Sequence, residues 1–488
     1  MVDDALCRLD ALELSRILHQ REASCRELMQ ATLARIERLN PRFNAIVSLR
    51  DGDALLAEAD RCDVELAQGR SRGWMHGFPH AVKDLTPTRG LRTTWGSPLC
   101  RDFVPQVDAL IVERLRGAGA ILIGKTNTPE WGLGSQTYNP VFGTTRNAYD
   151  PSRTCGGSSG GAAVALALRL VPVADGTDMG GSLRNPAGWN NVFGLRPSRG
   201  RVPAWPAEDA FFSQLGTDGP MARSVPDLAA LLATLAGPDP RAPLALDADP
   251  TVFARALDGE VDRADGVRIG WLGDLGGHLP TEPGVLTLCE AALRDFASLG
   301  CEVTPMALGF DPGRIWNAFL TLRAMGFAGR FAAFRADPQQ WAQLKPEARW
   351  EAERGAAVSA LEVYRASTER TAWYHHARGL FDRVDVLALP VAQCFAFDAG
   401  LHWPATLAGR PMDSYHRWME VVAGPTMAGL PALSVPAGFD DRGLPMGLQL
   451  IGRPNGERAL LELARAHERA TGWVQRRPPP SSLTGYPE

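Results

Sequence analysis

The 488-residue chain lacks an excess of charge of either sign: 51 Lys and Arg stand against 55 Asp and Glu, a formal net charge of −4. With a pI near 6.2 and no block of like charges, it has no electrostatic footprint for nucleic acid or for an anionic membrane. Cysteine is sparse too. The eight cysteines, at 7, 25, 62, 100, 155, 289, 301 and 394, show no CxxC and no His/Cys cluster of zinc spacing, so reduced thiols are expected rather than a disulfide framework or a metal site. No apolar run is long enough for a membrane span, because Arg169 interrupts the best candidate. The opening MVDDALCRL has neither a basic nor an apolar signal region, and the expected location is the cytoplasm.

What is present is an ordinary globular composition, 45% hydrophobic and 22% charged, in a chain long enough to bury roughly three quarters of its unfolded surface. The remaining class is small-molecule chemistry. The stretch from Cys155 to Arg184 carries it, with two glycine-flanked serine sites, GGSSGG and GTDMGGS, around an apolar run. Glycine lets a backbone approach a ligand and turn its N–H groups toward one point. A Gly/Ser linker is the bland alternative, but a linker would not enclose AAVALAL or a VPVA strand pattern.

Helices are expected over 4–20 and 25–39, the second opened by a Ser24–Glu27 capping box and closed before Pro41. A strand over 45–49, a helix from Asp53 to Gly69 and a short strand ending at Lys83 follow. Alternation across that strand sends Lys83 and Asp84 to opposite faces, which frees the lysine for other work. Asp108 is read as the cap of a helix ending at Gly117, followed by a strand over 120–124. A helix over 160–169 and a strand over 171–175 lead to GTDMGGS as a turn at the strand's carboxyl end, where open α/β sheets bind ligands. VFGLRPSRGRVP and GPMARSVPDLAALL read as a turn and a helix, and 310–380 as mostly helical. Strands over 385–391 and 431–451 precede a last helix over 456–471. The fold class is therefore α/β, a single large mixed sheet covered by helices.

Ser158 and Ser159 both match G-x-S-x-G, but a polar loop precedes them where a nucleophile elbow needs a strand. The second site does follow a strand. Backbone N–H groups of Met179, Gly180, Gly181 and Ser182 could form a nest for a developing oxyanion, which makes Ser182 the better nucleophile. Its base is less obvious. His76 and His80 flank the Lys83 strand, and His375 and His376 lie in a helical region, where structural roles are the plain reading. A lysine can replace histidine if held neutral, which takes a drop of roughly 2.5 to 3 units, about 3.5 to 4 kcal/mol.

A lysine ending a strand, GGSSGG and GTDMGGSLR together resemble the amidase signature family, with Lys83, Ser158 and Ser182 spaced 75 and 24 residues apart. The resemblance extends through GKTNTPEWG, GTTRNAYDPSRTCGGSSGG, NVFGLRPSRGRV, GPMARSVPDL and GLPMGLQLIG. It implies one amidase domain over 1–488, with a signature core near 74–235 and a variable, substrate-shaping region near 240–420. It implies a Ser-cisSer-Lys triad with Ser182 as nucleophile, Ser158 as bridging serine after a cis peptide, and Lys83 as terminal base. Ser159, Thr177, Asp178 and Arg184 would support it, and no metal or cofactor is called for. The implied reaction is hydrolysis of a small-molecule amide, with esters also within reach; a homodimer is common in such families.

Three other readings stand beside it. One is the glutaminase subunit of a tRNA-dependent amidotransferase, although the chain reads GLRP where those subunits typically resemble GLKP, and Met179 stands where threonine is frequent. A non-catalytic binder on this scaffold is another. An α/β-hydrolase would need a late histidine among His375, His376, His402, His416 and His467. Aromatics near the motifs, Trp131, Tyr138, Phe142, Trp189, Phe211, Phe212, Trp316, Phe319, Trp373 and Tyr374, are candidates for a pocket that favours an aryl or aliphatic amide.

Overall fold

The computed structural model describes residues 5–212, 214–255, 257 and 263–484. A short helical turn over Ala5–Arg8 precedes two longer helices, α1 (Ala11–Gln20) and α2 (Cys25–Phe43). The helix expected over 4–20 is therefore broken, because Asp10 is extended and starts α1 afresh; residue 4 itself lies outside the described residues. The capping box forms, with Glu27 N donating to Ser24 Oγ at 3.1 Å and Ser24 N to the Glu27 carboxylate at 2.8 Å. Helix α2 does not stop before Pro41. The proline sits in the last turn, where it removes only one N–H, and the end comes at Asn44, left-handed at φ 52, whose N–H reaches Asn40 O at 2.7 Å. Helix α3 (Gly52–Ala67) is capped by Asp51.

Strands β1 (Ile46–Val47), β2 (Pro79–Lys83) and β3 (Ile121–Thr126) form a small sheet of their own in the order β1-β3-β2, with β2 parallel to β3. The helix before β3, α4 (Leu110–Gly117), is not capped by Asp108. Asp108 instead accepts Arg89 N at 2.7 Å and Arg116 Nε at 3.1 Å, holding the loop that precedes the helix.

The large mixed sheet has eight described strands. After α5 (Gly160–Ala167) come β4 (Val173–Asp178), β5 (Phe193–Arg196), β6 (Thr217–Ala222), β7 (Arg268–Trp271), β8 (Glu302–Pro305), β9 (Val386–Pro390), β10 (Ala432–Phe439) and β11 (Pro445–Gly452). Their order is β8-β7-β9-β11-β10-β5-β6-β4, parallel at the β8 end and antiparallel from β9 onward. Strands β9 to β11 are buried on both faces, in keeping with their largely apolar sequences, in which only Ser434 and Gln449 are polar. Three expectations change. GTD of GTDMGGS continues β4 instead of turning, and both β5 and β6 are strands where turns were read. Gly219 and Pro220 inside β6 hid it, since both residues are disfavoured within a ladder.

Between β8 and β9 runs a helical stretch with α6 (Pro312–Arg330), α7 (Pro346–Ala357) and α8 (Ala360–Leu380); α9 (Ala423–Ala428) lies before β10, and α10 (Glu457–Thr471) follows β11. Among the described residues no helix is long and apolar enough to cross a membrane. A carboxylate of the large sheet reaches the small one. Asp175 of β4 accepts Lys83 N at 3.2 Å and sits 3.0 Å from His80 Nε2, which fixes β2 against the edge of the large sheet.

Candidate active site

Lys83 ends β2 fully buried. Its Nζ lies 2.8 Å from each of three hydroxyls: Ser158 Oγ, Ser159 Oγ and Thr177 Oγ1. Asp84 points away and accepts Thr94 N at 3.0 Å, as strand alternation requires. Burial pushes the Lys83 amine down to about 7, against the pull of Asp175, Asp218 and Asp178. A neutral amine offers two N–H groups and one lone pair. Ser159 Oγ is placed to donate to Thr177 O, at 3.3 Å, which leaves it an acceptor for Lys83. With Thr177 as the second acceptor, the lone pair faces Ser158.

Ser158 follows a cis Gly157–Ser158 peptide. The glycines on either side of the serine pair are steric requirements: a Cβ on Gly160 would stand 2.2 Å from Thr137 Oγ1 and 2.5 Å from Cys155 Sγ. Ser159 N donates to Ser182 O at 3.3 Å, binding the first serine loop to the second. Ser182 and Ser158 line one cavity of about 270 Å³, together with Thr177, Asp178, Met179 and Gly180.

The loop from Met179 to Ser182 is shaped by Asp178. Its carboxylate accepts Gly181 N at 3.0 Å and Leu183 N at 3.1 Å, and it is clamped by Arg184, at 2.9 Å and 3.0 Å, and by Arg196 at 3.4 Å. Burial alone would raise this carboxyl, but the two guanidiniums hold it well below the usual carboxylate range. Arg184 also donates to Val422 O at 3.1 Å, Thr426 Oγ1 at 3.0 Å and Gln449 Oε1 at 2.9 Å, tying the loop to α9 and β11. Gly181 is left-handed at φ 85, and a Cβ there would stand 2.9 Å from Val422. Because Gly181 N is already spent on Asp178, the four-member nest contracts: of its members, Met179, Gly180 and Ser182 keep backbone N–H groups for which no acceptor stands among the described residues.

The cavity's aromatic wall is largely different from the one read in the sequence. Trp131 lines it, stacked on Trp95 with centroids 5.7 Å apart, and Trp205 and Phe327 complete the wall. Of the other aromatics, Trp189 is buried against Trp418, Trp316 and Trp373 border a separate apolar cavity, Tyr374 borders a third cavity, and Phe211 and Phe212 are exposed. Tyr138 stacks on His402, Phe319 lies against Trp316, and Phe142 does not border the cavity. No described histidine lines it, so the late-histidine hydrolase has no base in place. Asp218 and Arg323 do line it and had no signal of their own in the sequence. Arg323 is held by Glu351 and Tyr415 Oη, each at 2.7 Å.

The family model described as Amidase matches residues 27–461. The A subunit of glutamyl-tRNA(Gln) amidotransferase from Chloroflexus aurantiacus is 37% identical over 480 residues, covering 93% of this chain and 94% of its own. Among solved structures, a bacterial aryl acylamidase of the amidase signature family superposes with a TM-score of 0.90 at 29% identity, covering 98% of this chain and 99% of its own. A peptide amidase from Stenotrophomonas maltophilia gives 0.80 at 30% identity, with coverage of 98% and 99%.

Proposed function

The chain belongs to the amidase family, and from that premise we propose that it hydrolyses a carboxylic amide through an acyl-enzyme on Ser182. The observation that carries this reading is the buried Lys83 amine at 2.8 Å from Ser158 Oγ, a residue that lines the same cavity as Ser182. Ser182 Oγ attacks the amide carbonyl. Its proton passes to Ser158 Oγ while the Ser158 proton moves onto the Lys83 lone pair. The backbone N–H groups of Met179, Gly180 and Ser182 hold the oxyanion. As the tetrahedral intermediate collapses, Lys83 returns a proton through Ser158 to the leaving nitrogen and the amine departs. Water then attacks the acyl-enzyme by the same relay and releases the acid.

The walls formed by Trp95, Trp131, Trp205 and Phe327 support a substrate with an aryl or aliphatic group. The whole chain acts as one amidase domain, with the 240–420 region supplying Arg323 and Phe327 to the cavity. Labelling by a fluorophosphonate, with amide hydrolysis measured across benzamide-type, anilide, fatty and small aliphatic amides, tests this reading. Ser182→Ala should lose both labelling and turnover; a variant that kept either would sink it, and a preference for acetamide over every bulky amide would sink the substrate class.

A second reading is favoured by the 37% identity to the A subunit of an amidotransferase. In it the same acyl-enzyme forms on glutamine and the ammonia passes to a partner. Glutaminase activity with co-purifying subunits is the expected result of that reading; a lone chain inert toward glutamine counts against it.

A further inference from the structure

Asp218 stands in β6 directly opposite Thr177 in β4, and residues facing each other across an antiparallel ladder send their side chains to the same face. Thr177 Oγ1 is one of the three oxygens around Lys83 Nζ, so the Asp218 carboxyl shares that face and lines the cavity that contains Ser158 and Ser182. Among the described residues this carboxyl makes neither a hydrogen bond nor an ion pair. The buried charges nearby are committed to other partners. From β4, Asp175 is held by His80 and Lys83 N, and Asp178 by Arg184 and Arg196. From α6, Arg323 is paired with Glu351, and Arg330 alone of the cavity's charges is exposed. Lys83 itself contacts only hydroxyls through its amine. Burial, then Asp175, pushes the Asp218 carboxyl up to about 7, while Lys83 pulls it down.

Resting on the amidase reading, we propose that Asp218 is a positioning residue for the proton relay: its carboxylate stabilises the ammonium that Lys83 becomes on taking up the proton from Ser182 through Ser158. The proton count is unchanged. One proton leaves the Ser182 hydroxyl, one arrives on Lys83, and Ser158 gives and receives one. Without the carboxylate the Lys83 ammonium is less favourable, so Lys83 stays neutral to a lower pH.

The test is the rate of fluorophosphonate labelling of Ser182 as a function of pH in the full chain, which needs the relay but no substrate. Asp218→Asn should move the acid limb to lower pH by about one unit, the low end of what a neighbouring charge does to a buried group. Asp218→Ser, a second neutral variant should Asn fail to fold, should move it the same way, and Asp218→Glu should leave it in place. A folded neutral variant whose limb coincides with that of the unmodified protein overturns the role of Asp218. Absence of labelling in the unmodified protein at every pH would overturn the amidase reading instead.

Discussion

Lys83 and Lys125 lie on adjacent parallel strands of the small sheet, one register step apart, and both side chains are fully buried. Burial lowers both, Lys83 to about 7 and Lys125 to about 8. Their surroundings differ in kind. Lys83 Nζ meets three hydroxyls, whereas Lys125 Nζ meets Thr86 O at 2.6 Å, Lys83 O at 3.4 Å and Thr88 Oγ1 at 2.8 Å. A carbonyl can only accept, so an amine among carbonyls is a cross-brace for the chain. An amine among hydroxyls can be handed a proton. A depressed pKa therefore does not distinguish base from brace; the partners do.

The largest effect should separate the two lysines outright. Lys83→Met should cut kcat/KM by about 10²- to 10⁴-fold, the range for loss of a general base. Lys125→Met should keep turnover to within about tenfold, a barrier change of about 1.4 kcal/mol. Comparable losses in the two variants would break the distinction.

Stability should show what Lys125 does instead. A lysine whose folded pKa lies below its unfolded value binds more protons when unfolded, so stability rises with pH across that gap. For Lys125 the window runs from about 8 to the unfolded value of about 10.4, worth about 3 kcal/mol. Denaturant unfolding of Lys125→Met should show that rise flattened by this amount, and an unchanged slope would remove Lys125 from the account. Activity answers to Lys83 alone. Neutral Lys83 is the competent form, so kcat/KM should be level above about 7 and fall about tenfold per unit below it. A limb near 10 would mean that Lys83 is not desolvated as the structure has it.

The contrast between these lysines also marks how far the sequence could be read. Ser158 and Ser182 stood out because each sits in a motif whose glycines answer a local steric need, as Gly160 does beside Thr137 and Cys155, whereas Lys83 was marked only by its place at a strand end and by resemblance, and the fold brings it to Ser158. The helices came through for similar reasons, since caps such as Ser24–Glu27 are contained within a few residues. What depended on distant partners did not come through. Strand β6 was hidden by Gly219 and Pro220, and with it Asp218, whose place is defined only by pairing with Thr177. Trp95 reaches the cavity from a loop with no periodicity, and Phe327 lies on α6, whose apolar residues show no single face. Gly181 looked like any other nest member until Asp178 was seen to take its N–H.

The smallest effect tests the comparison at a single hydroxyl on each side. Thr177→Val removes one acceptor from Lys83 Nζ, and Thr88→Val removes one from Lys125 Nζ, in each case with little change of shape. Around Lys83 the loss frees an N–H, and the lone pair is no longer held toward Ser158. A hydrogen bond worth about 0.5 to 1.5 kcal/mol then appears in the rate, as a fall in kcat/KM of about two- to twelvefold. Around Lys125 the same loss leaves two carbonyls still bracing the amine, and it should appear in unfolding, as about 1 kcal/mol, with kcat/KM unmoved. Should Thr88→Val slow turnover as much as Thr177→Val, the two amines would belong to one coupled network, and the division between base and brace would fail at the residue that separates them, Lys83, whose carbonyl Lys125 touches.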